Sequence, residues 1–231
     1  MNRVILIETS TSICSTALVE DGTVVCERIS DEPRAHASKT ALFVSEMLSE
    51  KGLKVSDCDA VAVSKGPGSY TGLRVGVSTA KGLCFGAGIP MISVGTLDTL
   101  VWQALDGNML PEEGCRYIIP MIDARRMEVY TGIFTPDGRQ VSPTVAQIID
   151  ADSFKTQLEE GPVLFIGDGA DKCKVTITSP NAHFIQCCPK AASMARPATE
   201  ALIGKRFEDV AYFEPFYLKE FITTVSKKKI I

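Results

Sequence analysis

Histidine, tryptophan and excess positive charge are all scarce in this chain. It has two histidines, His36 and His183, and one tryptophan among 231 residues. Structural zinc sites need closely spaced Cys and His ligands. The eight cysteines, at 14, 26, 58, 84, 115, 173, 187 and 188, include no CxxC pair. No metal ligand is therefore assigned. Lys and Arg number 24 against 28 Asp and Glu, for a net charge of −4. A protein that coats nucleic acid needs a clustered basic surface. The one basic run, Lys227-Lys228-Lys229, reads as a solvated tail. No apolar run approaches the length of a membrane span, and no leader pattern precedes the β-like run that starts at Arg3. Cys14, Cys84 and Cys187 sit in apolar stretches and read as small core residues in a reducing compartment. The expectation is a soluble cytoplasmic protein.

What is present is pattern. "RVILIE" is a short β-branched run, as in a buried strand. "STALVEDGTVVCERIS" reads as a hairpin, because Asp21-Gly22 supplies the positive φ angles of a tight turn. A helix is predicted over about 38–51, a strand over 60–64, a helix over about 71–85, the strand "PMISV", and a helix over about 96–104. The plan then recurs. "YIIPMID" and "MEVYTGIF" are strands, and Asp137-Gly138 turns into a third. From Glu8 to the turn aspartate Asp21 is 13 residues, and from Asp123 to Asp137 is 14. "VLFIGDGADK" answers "VAVSKGPGSYTG", and "AHFIQC" with a helix over about 191–205 answers "PMISVG" and its helix. The predicted fold class is α/β, with two duplicated actin/Hsp70-like lobes and a cleft between them. The lobes are expected at 1–104 and 105–231, with the 191–205 helix packing back on the first.

The stretch "KGPGSYTGLRVGVSTAKG" resembles a phosphate loop at first sight. It contains no Gly-Lys-Ser/Thr, and Gly66, Gly68 and Gly72 do not match GxGxxG. Ser69 or Thr71 reads as a helix cap, with anion binding at that helix end as the other option. Phosphoryl transfer needs carboxylates for Mg²⁺. The candidate nucleotide contacts are Glu8, Thr9 and Ser10 in the first half, and Asp123, Gly167 and Gly169 in the second. Arg125 beside Asp123 is expected to form a structural ion pair with Asp123 or Glu128. Gly68-Ser69-Tyr70 is not the GxSxG of a nucleophile elbow, and no catalytic residue is assigned.

Gly72, Gly76, Ala80 and Cys84 recur every four residues. Such a small-residue ridge admits close approach by another element. Two partners fit it: the sheet of the same chain, or a second chain. In the second case the interface residues are Gly72, Val75, Gly76, Thr79, Ala80 and Leu83, with Phe43 and Met47 of the preceding helix beside them.

In order along the chain stand "ILIETSTSICSTALV", "KGPGSYTGLRVGVSTAKGL", "IDARRMEVY", "FIGDGA" and "EPFYLK". Together they resemble the TsaB (YeaZ) family. The resemblance implies a two-lobed actin-like fold and a role in making N6-threonylcarbamoyladenosine beside the anticodon of tRNAs that read A-starting codons. It implies a scaffold, not a catalyst. The implied partners are the paralogue TsaD, which carries the metal ligands and the transfer activity, and the small ATPase TsaE. A further enzyme, TsaC, supplies threonylcarbamoyl-adenylate. The resemblance also implies a homodimer in isolation, through first-lobe helices that the TsaD pairing uses too, and contact with tRNA only through the complex. No cofactor is firmly implied, although ATP or ADP fits within the complex. The catalytic paralogues carry His-x-x-x-His on the first helix, whereas this chain has His36 and Thr40. Many relatives have Asp where Glu8 stands. The alternatives are a nucleotide-dependent kinase or ATPase of the actin-like fold and a metal-dependent peptidase.

Overall fold

In a computed structural model, residues 1–219 are described; the Lys227–Lys229 run lies outside them. The first sheet contains β1 (Arg3–Glu8), β2 (Cys14–Glu20), β3 (Thr23–Ser30), β4 (Ala60–Gly66) and β5 (Met91–Gly95), in the order β3-β2-β1-β4-β5. The second contains β6 (Tyr117–Asp123), β7 (Glu128–Thr131), β8 (Val145–Ile148), β9 (Val163–Gly167) and β10 (Ala182–Gln186), in the order β10-β9-β6-β7-β8. Read from the opposite end, the second order matches the first strand for strand. The directions match as well. β1 is antiparallel to β2 and parallel to β4, and β6 is antiparallel to β7 and parallel to β9. The duplication read from pattern is thus a duplication of topology.

Local chemistry accounts for most elements. Asp21 and Gly22 both have positive φ, 46° and 81°, as the tight β2–β3 turn requires. Helix α1 (His36–Glu50) buries Phe43, Val44, Met47 and Leu48 on one face. Helix α2 (Tyr70–Ala87) starts at Ser69, whose hydroxyl accepts the Gly72 N–H at 3.3 Å. It ends at Gly88 in the left-handed region. Two expectations need correction. The Asp137-Gly138 turn returns to the chain only through the Phe134–Gln140 bridge, and the third strand of the second meander starts later, at Val145. The predicted 191–205 helix is a 3-10 turn over Ala191–Met194 followed by α6 (Ala195–Ile203). Pro197 explains the break, because it has no N–H to donate to the Ser193 carbonyl four residues back.

The helices cross between the halves. Helix α3 (Thr96–Asp106) lays Leu97, Leu100, Val101 and Ala104 against Ile118, Ile122, Leu164 and Ile166 of the second sheet. In return, Ala191, Met194, Ala195 and Ala198 cover Leu6, Ala17, Ala62 and Ile92 of the first sheet. Each half therefore seals the other's hydrophobic face. The opposite face of the first sheet is covered by α1 and α2, through Val44, Leu48, Val77, Ala80 and Cys84. Among the described residues, no helix is long and apolar enough to cross a membrane.

Candidate functional site

The loop after β1 meets the start of α2. The Ser69 N–H donates to the Ser10 carbonyl at 2.6 Å. A Cβ on Gly68 would collide with that same carbonyl. One on Gly72 would collide with the Thr9 carbonyl, and one on Gly76 with the Thr9 hydroxyl. The glycines therefore let α2 sit directly on residues 9 and 10. This decides between the two partners of the ridge. Gly72, Gly76, Ala80 and Cys84 face the sheet of their own chain and are buried. Phe43 and Met47 are buried too, at 8% and 0% exposure, so they cannot form a contact surface. Of the expected interface residues only Val75, Thr79 and Leu83 keep part of their surface.

The same packing buries the expected nucleotide contacts of the first half. Glu8, Thr9 and Ser10 are all 0% exposed. One Glu8 oxygen accepts the Ser10 N–H at 2.6 Å, and the other has no hydrogen-bond partner among the described residues. Burial pushes the Glu8 carboxyl up to about 7, against hydrogen bonds from Ser10, Ser64 and Thr9 that pull it down. With the N-terminal turn of α2 lying over the loop, these residues have no face left for a phosphate.

The second half repeats this arrangement more openly. A Cβ on Gly167 would collide with the Met121 carbonyl, and one on Gly169 would come to 2.9 Å from Val129 Cγ1. These glycines too serve close backbone approach, here between the β9 end and the β6 end. The Asp123 N–H donates to Asp168 Oδ1 at 2.9 Å. Burial raises the Asp168 carboxyl to about 6. Asp123 itself is exposed and forms an ion pair with Lys172. Glu128 is paired with Lys219. Arg125 pairs with neither; only its backbone N–H reaches Asp123, at 2.9 Å. The expected Arg125 ion pair is therefore replaced by two lysine pairs. The reason is backbone: Arg125 and Arg126 both sit at positive φ, 70° and 51°.

With α2's inner face spent on the sheet, its outer face is exposed among the described residues. Arg74, Ser78, Gly82 and Gly86 are exposed at four-residue spacing. Gly82 and Gly86 have nothing within 4 Å of a built Cβ. On α1 the exposed series is Ala37, Ala41, Ser45 and Ser49. Two bulky apolar side chains flank these series, Phe85 at 86% and Leu42 at 48% exposure.

Known proteins are similar to this chain over most of its length. A Bacillus subtilis protein described as tRNA threonylcarbamoyladenosine biosynthesis protein TsaB is 32% identical over 221 residues, spanning 94% of this chain and 93% of that one. The chain belongs to the TsaB (YeaZ) family. An Escherichia coli TsaB is 38% identical over 140 residues, 58% of this chain and 56% of that protein. The YeaZ structure from Pseudomonas aeruginosa superposes with a TM-score of 0.81 at 26% identity, covering 94% of this chain and all of the other. Residues 20–213 also match the family described as "TsaD: tRNA N6-adenosine threonylcarbamoyltransferase", so TsaB and TsaD chains are related by sequence.

In this TsaB-family chain, His36 Nε2 lies 2.9 Å from the Thr11 carbonyl. Thr40 is buried and donates its hydroxyl to the His36 carbonyl at 2.6 Å. Among the described residues, no three His, Cys, Asp or Glu side chains are grouped to hold a metal. Sequence reading passed over the outer helix faces and the pair Lys65 and Asp98, which line one cavity. The outer series was legible as a second four-residue repeat in α2. The cavity has no local signature.

Proposed function

We propose that this chain acts in tRNA threonylcarbamoyladenosine biosynthesis as a non-catalytic scaffold that docks a TsaD-type paralogue. The observation that carries this reading is the outer face of α1 and α2. Ser78, Gly82 and Gly86 on α2 and Ala37, Ala41, Ser45 and Ser49 on α1 are small residues at four-residue spacing that let helices of a second chain approach closely, and Phe85 and Leu42 supply apolar anchors. Gly82 and Gly86 cost helix stability, and among the described residues nothing lies within 4 Å of where their Cβ atoms would be, which a helix packed against them would explain. In isolation the same face pairs two copies of this chain. Within the complex, a TsaE-type ATPase joins with ATP or ADP, tRNA is met only through the assembly, and the setting is the cytoplasm. The kinase or ATPase reading is weakened by the burial of Glu8, Thr9 and Ser10. The peptidase reading lacks a supporting observation.

The test is reconstitution with TsaC-, TsaD- and TsaE-type proteins of the same organism. Omitting this chain should abolish tRNA modification, and Phe85→Asp or Gly82→Arg should weaken paralogue binding by at least tenfold. Full modification without the chain, or unchanged binding by folded variants, would overturn the reading.

A further inference from the structure

A cavity of about 360 Å³ lies beside the junction of the two halves. Its wall includes Lys65 at the end of β4, Asp98 in the first turn of α3, Gln140, Thr144 and Phe216. Lys65 and Asp98 are half-buried, and neither is engaged in an ion pair among the described residues. Burial pushes the Asp98 carboxyl up, and the nearby Lys65 charge and the Asp98 backbone N–H only partly offset that push. Opposite charges that share a partly desolvated cavity normally close on one another or on something between them.

The wall is shaped around these groups. The Asp98 carboxylate lies over Gly95, in the space a Cβ there would need. Gly66 has φ +105°, and a Cβ on it would come to 2.8 Å from the Phe216 carbonyl. The Phe216 N–H in turn donates to the Lys65 carbonyl at 2.7 Å, which seats the phenylalanine against the cavity. Gln140 Nε2 donates to Thr144 Oγ1 at 3.0 Å, and among the described residues the Gln140 carbonyl oxygen, which can accept from a ligand, has no hydrogen-bond donor. The cavity is open to solvent on one side, where Gln140 and Pro143 are exposed and Phe216 keeps 43% of its surface, and Leu97 forms its buried floor. A concave site with an apolar wall and a few convergent polar groups is what small-molecule binding requires.

We propose that this cavity binds a small zwitterionic α-amino acid, with its carboxylate on Lys65 and its ammonium on Asp98. Phe216 and Leu97 enclose the side chain, and Gln140 accepts from a ligand hydroxyl. A simple anion would leave Asp98 unpaired, and a simple cation would leave Lys65 unpaired; the zwitterion satisfies both. The site uses no residue of the outer α1–α2 face, so it stands or falls independently of partner docking.

The test is titration of the full-length chain with L-threonine, L-valine, L-threonine methyl ester and N-acetyl-L-threonine, followed by ligand- and protein-observed NMR. L-Threonine should bind with a dissociation constant of about 1 mM or tighter, and L-valine several-fold more weakly. The ester and the N-acetyl derivative should each lose at least tenfold. Lys65→Met and Asp98→Asn should each weaken L-threonine by at least tenfold, with thermal melts verifying that the variants fold. The analogues need no variant, so a misfolded mutant does not leave the matter open. Absence of binding by every amino acid, retention of N-acetyl-L-threonine at full affinity, or indifference to both substitutions in folded protein would overturn the proposal.

Discussion

The carbonyl oxygen of Thr9 occupies the space that a Cβ on Gly72 would need. One turn further along α2, the Thr9 hydroxyl does the same at Gly76. The glycines that look like a phosphate cradle are a seat for the loop after β1.

Gly72→Ala and Gly76→Ala should therefore destabilise the chain, despite alanine's better helix propensity, because backbone or a buried hydroxyl must shift. A loss of about 2 kcal/mol or more is expected in urea unfolding. Gly82→Ala is the control. Its Cβ meets open space, so a gain of up to about 1 kcal/mol is expected.

Glu8 predicts a pH dependence. Its folded-state pKa is raised to about 7 from 4.5, so between those values the folded chain holds the proton more tightly than the unfolded one. Stability from this group is fully present below 4.5 and is lost as pH rises through about 7. The full swing is roughly 3 kcal/mol. Asp168, raised to about 6, adds a smaller slope of the same sign. Glu8→Gln should remove the larger part of the slope in unfolding curves recorded across pH; an unchanged profile would show that Glu8 titrates normally.

The helix exchange predicts that neither half folds alone. A fragment of residues 1–104 lacks Ala191, Met194, Ala195 and Ala198, which cover its sheet. It should show no cooperative thermal transition by circular dichroism. Adding residues 105–231 in trans should restore one.

Ser69 caps α2 by accepting the Gly72 N–H. Ser69→Ala should cost about 1 kcal/mol in equilibrium unfolding, with no effect on the amino-acid cavity.

Much of the chain was readable from local pattern. Arg3–Glu8, the Asp21-Gly22 turn, the helix after Gly68 and the recurrence of this plan from Tyr117 onward rest on periodicity and turn chemistry, which act over a few residues. That Phe43 and Met47 share one face of α1 was readable, but they were expected at an interface with a second chain, and their burial inside this one was not readable. The small-residue ridge shows the difference most clearly. Spacing every four residues states that Gly72, Gly76 and Ala80 share a face of α2. It does not state whether that face meets Thr9 or another protein, because the ridge is equally small toward either. Contacts distant in sequence settled it, through the loop after β1 pressed under the helix. The same holds for Lys172 and Lys219, which take the carboxylates that Arg125 seemed placed to meet. It holds again for Lys65 and Asp98, 33 positions apart, which share a cavity only because the end of β4 and the start of α3 lie side by side. Hydrophobic period and turn residues are properties of a segment; which surface is buried, which charge is paired and which pocket opens are properties of how segments are stacked.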